Sequence, residues 1–174
     1  MAINKIIILS HLKLKTFTLQ DALDYCQINS INPDNIIILI LGNNQLTDIS
    51  GIKLFKNLEK LFLDNNNISD ISIIKNFKNL KELYISNNKT ADISVLKDLN
   101  KLQILIINNT AVKDISVIQN LNNLKILGIN NLKLESDQIK YINSIKYLRT
   151  LYCKNGFKEM SILSKLNQNI NIIK

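Results

Sequence analysis

The sequence predicts an α/β solenoid, a curved stack of short units with a parallel β-sheet along its concave face and a helical cap at its N-terminal end. Three observations predict this fold. The 174-residue chain repeats itself every 22 residues, and apolar residues alternate over a few positions of each repeat, as in short strands. With only four glycines and one proline, the chain also lacks the breakers of an ordinary turn-rich β-sandwich.

The repeats are described here as frames, and positions are counted from the first residue of each frame. Four frames of 22 residues follow one another, and the fifth has 24 residues. The frames begin at Ile36, Leu58, Leu80, Leu102, Leu124 and Leu148, and a truncated seventh begins at Ile170. Because a single frame cannot bury its own apolar edge, the frames must stack, and their strands must add to one parallel sheet.

Each frame supplies apolar residues at fixed positions. Positions 4 and 6, such as Leu61 and Leu63, alternate with outward residues and are predicted to form a short strand. Positions 17 and 20, such as Ile74 and Phe77, are predicted to fill the core from the back of the coil. Few residues remain for this back segment, so we expect a 3₁₀ turn or extended chain there, and not a long α-helix.

Two polar positions also recur. Position 9 is asparagine in three frames, where a buried amide can pair with loop backbone groups, and Thr110 replaces it in the fourth. Positions 13 to 15 read Asp-Ile-Ser, and we expect the aspartates to cap the following turns. A calcium site along this row of carboxylates is the alternative that we disfavour. The asparagines are Asn44, Asn66 and Asn88, and the aspartates are Asp48, Asp70, Asp92 and Asp114.

The frames follow the pattern L-x-x-L-x-L-x-x-N-x-L, as LEKLFLDNNNI from Leu58 shows. Over residues 36–173 this pattern resembles the leucine-rich repeat family. The D-I-S continuation resembles the short 22-residue class, which includes bacterial internalins and a phosphatase regulatory subunit. The resemblance implies a right-handed superhelix with the parallel sheet inside the curve. It is highly specific for the fold and weakly specific for the function.

Residues 1–35 are predicted to form the N-terminal cap, and residues 36–174 the solenoid, with about six repeats and a truncated terminal strand. A cap is needed because an open solenoid end exposes apolar surface and strand hydrogen-bonding groups. Thr18 and Asp21 have the spacing of a helix N-cap, and Pro33 ends this segment before the first full strand. Apolar residues at helical spacing follow the N-cap at Leu19, Ala22, Leu23 and Cys26.

Two segments do not follow the regular pattern, one in the cap and one in the fifth frame. In the cap, Leu12 and Leu14 alternate with lysines. In the fifth frame, Ser136 or Asp137 is predicted to cap a short helix. That helix would carry Ile139, Ile142 and Ile145 on one side, and residues 170–173 would form the last strand.

The candidate binding surface is the concave strand face, formed by positions 3, 5 and 7 of each frame. Position 5 is nearly all apolar or aromatic, although the core does not need it, and exposed patches of several hundred Å² usually mark interaction sites. Phe62 and Tyr84 would be the anchors, and Lys60, Asp64 and Glu82 would select the partner by charge. The alternative is that these side chains only pack against one another. The candidate residues are Ile38, Ile40, Lys60, Phe62, Asp64, Glu82, Tyr84, Ile104, Ile106, Asn108 and Tyr152.

The formal charge of +8 raises the question of nucleic acid or anionic surfaces. The lysines lie mainly on the convex side and on the edge before the strands, with no aromatic residues among them to stack on bases. Nucleic-acid binding is therefore disfavoured, and binding through the convex lysines is the alternative function. Weak self-association through the concave face or the last strand is a third hypothesis. These lysines are Lys53, Lys56, Lys75, Lys78, Lys81, Lys97, Lys101 and Lys125.

The sequence gives no sign of catalysis. Cys26 and Cys153 fall at opposite ends of the solenoid, so two buried thiols are expected and not a disulfide or a zinc site. His11 is the only histidine, and no partner is placed near it. We expect no cofactor, no metal and no small-molecule substrate. No stretch approaches the roughly 20 apolar residues of a membrane span, and no signal peptide is convincing, which predicts a cytoplasmic protein. A secreted origin with a removed leader stays open.

Overall fold

The computed structural model describes residues 5–174, which contain one parallel sheet of eight strands in sequence order. The predicted parallel sheet is therefore confirmed. Each strand is three residues long, and every neighbouring pair is parallel. The strands are β1 (Ile6–Ile8), β2 (Ile38–Ile40), β3 (Lys60–Phe62), β4 (Glu82–Tyr84), β5 (Ile104–Ile106), β6 (Ile126–Gly128), β7 (Thr150–Tyr152) and β8 (Asn171–Ile173).

The back of the coil is formed by short 3₁₀ turns, as the frame length predicts. In the four regular frames the turn begins at the serine of the Asp-Ile-Ser triplet. The turns are Pro33–Asn35, Ser50–Leu54, Ser72–Asn76, Ser94–Asp98, Ser116–Asn120, Ser136–Gln138 and Met160–Lys165. Residues 5–174 also contain two α-helices, α1 (Leu19–Ile28) and α2 (Ile139–Asn143).

The register places equal frame positions side by side. Leu61 pairs with Leu83, and Phe62 pairs with Tyr84. Leu61 and Leu83 are fully buried, whereas Phe62 and Tyr84 are only partly buried, so the inward and outward positions are as predicted. Because the register repeats, every frame position forms a column of side chains along the solenoid.

The asparagines at position 9 form the predicted buried ladder. In Asn66, the side-chain carbonyl accepts the Leu46 N–H at 2.9 Å, and the amide donates to the Leu41 and Leu63 carbonyls at 3.0 and 2.9 Å. One side chain thus satisfies backbone groups of two neighbouring frames. Thr110 has the predicted smaller capacity, and its hydroxyl donates to the Ile107 carbonyl at 2.8 Å.

A second asparagine ladder, at position 8, was not predicted. These residues are exposed, and their backbone is left-handed, with φ between 50° and 62°. From the second frame onward, each side-chain amide donates to the side-chain carbonyl of the previous frame at 2.7–3.1 Å. Asparagine tolerates this backbone better than most residues, so position 8 supplies both the turn and the ladder. The ladder consists of Asn43, Asn65, Asn87, Asn109, Asn131 and Asn155.

The aspartates of the Asp-Ile-Ser triplets cap the turns, as predicted. In all four, one carboxylate oxygen accepts the backbone N–H of the serine two residues later at 2.7 Å. These hydrogen bonds lower the pKa of Asp70 and of Asp92. Among residues 5–174, no group of acidic, histidine or cysteine side chains is arranged to hold a metal ion.

The N-terminal cap combines strand β1 with helix α1. The predicted N-cap is confirmed, because the Thr18 hydroxyl accepts the Asp21 N–H and the Asp21 carboxylate accepts the Thr18 N–H at 2.7 Å. Ala22 and Cys26 are buried, as predicted. The helical spacing does not make Leu23 part of this buried side, because it is 41% exposed and Tyr25 packs on the core in its place.

The alternation of Leu12 with lysines does not mark a strand. Leu12 is exposed, and the strand of the cap is β1, in the continuous apolar run that precedes it. The cap is seated on the first full frame through Gly51. The Gly51 N–H donates to the Phe17 carbonyl at 2.7 Å, and a Cβ at Gly51 would lie 2.2 Å from the Thr18 carbonyl oxygen. Only glycine allows this close approach.

The fifth frame replaces part of its back segment by α2. Ile139, Ile142 and Ile145 are buried, which confirms the predicted apolar side. The predicted side-chain cap by Ser136 or Asp137 is wrong. Both residues lie within a 3₁₀ turn that leads directly into α2, and no side chain caps the first residues of α2.

Candidate interaction surface on the concave face

The concave face carries all eleven predicted binding residues, arranged in the columns of positions 3, 5 and 7. The structure adds Ile6 and Ile8, which are 49% and 61% exposed and extend columns 3 and 5 by one strand. Sequence reasoning missed them because residues 6–9 are a continuous apolar run without alternation. Column 5 consists of Ile8, Ile40, Phe62, Tyr84, Ile106, Gly128, Tyr152 and Ile173.

Phe62 and Tyr84 form a stacked aromatic pair at the centre of column 5. Their ring centroids are 4.6 Å apart, and the planes are 8° from parallel. Both residues are partly buried. The side chains therefore do pack against one another, as the crowded-sheet alternative predicts, while part of each ring still faces solvent.

Two of the three predicted charges neutralise each other. Lys60 and Glu82 are directly opposite on β3 and β4, and the ammonium nitrogen lies 2.7 Å from a Glu82 carboxylate oxygen. The Tyr84 hydroxyl donates to the other oxygen of Glu82 at 3.2 Å. This arrangement fixes the Tyr84 ring against its own strand. Burial, with added contributions from the negative charges of Glu82 and Asp64, raises the pKa of Tyr84 to about 12.

In column 7, side chains of one frame accept hydrogen bonds from backbone N–H groups of the next frame. The Asp64 carboxylate accepts the Ser86 N–H at 2.8 Å, and the Asn108 carbonyl accepts the Asn130 N–H at 2.7 Å. Asn130 repeats the contact with the Lys154 N–H at 2.8 Å. The predicted binding residue Asn108 thus uses its carbonyl within the fold. Burial raises the pKa of Asp64, and the Ser86 N–H opposes this shift.

An open hollow of about 300 Å³ lies between Tyr84 and Tyr152. In this region column 5 contributes no side chain at Gly128, which lies between Ile106 and Tyr152. A Cβ at Gly128 would lie 3.0 Å from the Ile106 side chain. We name this feature the tyrosine hollow, and it is lined by Tyr84, Ile104, Ile106, Asn108, Ile126, Asn130 and Tyr152.

The other predicted chemical groups do not join this surface. Cys26 and Cys153 are buried free thiols, as predicted, and burial raises the pKa of both. His11 is exposed in a left-handed turn of the cap. In the part of the chain that the structure describes, no helix is both long and apolar enough to cross a bilayer.

Several convex lysines already have partners. Lys81 forms an ion pair with Glu59 at 2.8 Å. Lys101 and Lys125 donate to amide carbonyls of the previous frame at 2.7 and 3.1 Å. Lys53, Lys56, Lys75 and Lys97 are exposed. The convex side is therefore a solvated lysine surface in which part of the charge is paired.

Comparison with known proteins shows that the repeated frames match a described family. Residues 34–76 and 56–98 match the leucine-rich repeats (two copies) family. The matched repeats belong to the leucine-rich repeat family, and the chain has the leucine-rich repeat fold. The matched residues include β2, β3 and β4, and so cover the aromatic pair of Phe62 and Tyr84. No curated protein matches the sequence of this leucine-rich repeat protein at a significant level.

Solved structures share the fold of this leucine-rich repeat protein. An internalin (inlF) of Listeria monocytogenes is 30% identical with a TM-score of 0.73, and the match covers 80% of this chain and 41% of that one. A leucine-rich repeat protein of Leptospira interrogans is 26% identical with a TM-score of 0.71, covering 96% of this chain and 41% of that one. The chain thus spans less than half the length of these two proteins. An internalin C2 of Listeria monocytogenes is 23% identical with a TM-score of 0.64, covers 98% of this chain and 80% of its own, and supports the fold alone.

Proposed function

We propose that this leucine-rich repeat protein is a non-enzymatic module that binds another protein on its concave face. The observation that carries the proposal is the tyrosine hollow, whose walls are the partly buried rings of Tyr84 and Tyr152. Its floor is formed by the side chains of isoleucines that the core does not use.

The energetic argument concerns column 5. The inward positions of the same strands bury leucines completely, so the fold already has its core without Phe62, Tyr84 or Tyr152. Aromatic side chains that keep apolar surface in water gain free energy when a partner covers them, and such residues dominate the binding energy of protein interfaces. A partner side chain that enters the tyrosine hollow would contact the isoleucines and tyrosine rings of its lining, beside Asn108 and Asn130.

The alternative function, binding of an anionic surface through the convex lysines, has weaker support. Partnered side chains such as Lys81 reduce the free positive charge, although the exposed ring of Tyr147 lies beside Lys146. Phosphate-driven binding should weaken steeply between low and physiological salt, whereas an apolar interface should change little. We also propose a cytoplasmic location, which fractionation of the source cell tests directly.

The test is affinity capture from a lysate of the source cell with a concave double variant, Phe62→Glu with Tyr84→Glu. A matched control adds the same two negative charges on the convex side, Gln119→Glu with Asn122→Glu, at exposed positions. We expect the wild type and the convex control to retain the partner and the concave variant to lose it. Circular dichroism and thermal melting establish that each variant is folded. A folded concave variant that captures the same partner with unchanged affinity would refute the proposal.

A further inference from the structure

Asp64 is a carboxylate on the concave face without a cation. Among residues 5–174, no lysine, arginine or histidine forms an ion pair with it. Lys60, the lysine at position 3 of the same frame, is engaged by Glu82 at 2.7 Å. The structure therefore supplies a hydrogen bond for Asp64, from the Ser86 N–H, but no opposite charge.

Asp64 is partly withdrawn from water beside the aromatic pair. Its side chain is partly buried, and it follows Phe62 by two residues on the same side of the sheet. The neighbouring Ser86 side chain is buried. Burial raises the pKa of Asp64, and the charge of Asp64 contributes to the high pKa of Tyr84. Removal from water without a cation is unfavourable for a carboxylate, so an incoming cation would gain more here than on an open surface.

The spacing between Asp64 and the tyrosine hollow is set by the stacking. Asp64 lies in the second frame, and Gly128, at the hollow, lies in the fifth. Three strand spacings of about 4.8 Å give a separation of roughly 14 Å along the solenoid. An extended peptide advances about 3.3 Å per residue, so roughly four residues span this distance.

From charge and spacing together, we infer that the partner segment carries an arginine or lysine that pairs with Asp64, and a bulky apolar residue about four positions away that enters the tyrosine hollow. This inference rests on the proposed concave-face function and makes it specific. Arginine suits the site better than lysine, because its guanidinium is less strongly hydrated and can bond both oxygens of a carboxylate.

The test uses a random peptide library displayed on phage, selected on the purified full chain. We expect the wild type to enrich peptides with a basic residue and a bulky apolar residue at this spacing. Asp64→Asn removes the charge but keeps an oxygen for the Ser86 N–H, and it should lose the basic preference while keeping the apolar one. Tyr152→Ala removes one wall of the hollow and should have the opposite effect.

A double-mutant cycle on one selected peptide measures the contact itself. Asp64→Asn should weaken binding of the basic peptide by roughly tenfold to a hundredfold. Replacing the basic residue of the peptide by citrulline should produce a similar loss in the wild type and little further loss in the variant.

Three results distinguish the inference about Asp64 from the proposed concave-face function. Loss of the basic preference in Asp64→Asn supports the inference. Concave-face peptides without a basic preference, or a preference that survives Asp64→Asn, overturn the inference and leave the proposed function standing. Peptides that bind equally well to the variant with Phe62→Glu and Tyr84→Glu do not use the concave face, and this result would overturn the proposed function as well.

Discussion

The rings of Phe62 and Tyr84 stack on the concave face with centroids 4.6 Å apart and planes 8° from parallel. This contact is a consequence of the register, because the two residues occupy the same position of successive frames. Near-parallel stacking buries one face of each ring, and the Tyr84 hydroxyl is held by Glu82. The pair is therefore arranged before any partner arrives, which reduces the entropy that binding would cost.

Tyr84 should ionise only at high pH. Burial and the negative charges of Glu82 and Asp64 raise its pKa to about 12, so ionisation is disfavoured in the folded state. A raised pKa contributes stability that is present below pH 10 and is lost as the pH rises toward 12. A titration of tyrosinate absorbance should show one late step that is absent in Tyr84→Phe and shifted to lower pH in Glu82→Gln. A Tyr84→Phe profile that keeps the late step would contradict this assignment.

The protein should lose stability when Asn66 of the buried asparagine ladder is removed, and gain stability when Thr110 is replaced by asparagine. Asn66→Ala leaves the buried Leu46 N–H without its side-chain acceptor and removes one of the two asparagine amides that donate to the Leu41 carbonyl, and we expect the free energy of unfolding to fall by roughly 2–3 kcal/mol. Thr110→Asn should raise it by about 1 kcal/mol, because an amide bonds more backbone groups than a hydroxyl. Urea unfolding measures both. Equal losses for the two variants would show that position 9 does not act through hydrogen bonds.

The exposed asparagine ladder should depend more on backbone conformation than on its hydrogen bonds. Asn87 has φ of 55° and bonds Asn65 and Asn109. Asn87→Ala should cost about 1–2 kcal/mol, since alanine is strained in the left-handed region. Asn87→Gly keeps the backbone freedom and removes only solvent-exposed hydrogen bonds, so its free energy of unfolding should change by a few tenths of a kcal/mol. If glycine destabilises as much as alanine, the hydrogen bonds dominate instead.

Acid should weaken the turns that Asp70 and Asp92 cap. The N–H groups of Ser72 and Ser94 lower the pKa of these carboxyls in the folded protein. A lowered pKa contributes stability that is present above the unfolded value of about 4 and is lost as the pH falls through the folded value.

The matched variant, Asp70→Asn with Asp92→Asn, keeps an oxygen acceptor and removes the titration. We expect the wild type to be the more stable protein at neutral pH and the difference to shrink below pH 4 or so. Urea unfolding at several pH values measures it. A difference that does not change with pH would mean that the charge of these side chains contributes nothing to the turns.

Much of the fold could be predicted because its signals are local and repeated. The inward direction of Leu61 and Leu83 follows from alternation within a single strand, and the stacking follows from the 22-residue period. The helix N-cap at Thr18 could also be predicted, because its partner Asp21 is only three residues away. By contrast, β1 has no alternation, and only its pairing with β2 identifies it as part of the sheet.

The sequence by itself determined the number and kind of the frames, the core positions and the identity of the concave face. The tertiary structure decided how residues in different frames use that face. Lys60 meets Glu82 while Asp64 meets no cation, and residues of four frames line the tyrosine hollow, only because the register sets frames side by side at one fixed offset. Whether a charge is paired, or a hollow is left open, depends on residues of the neighbouring frames, which are about 22 residues away in the chain. No local sequence pattern encodes those contacts.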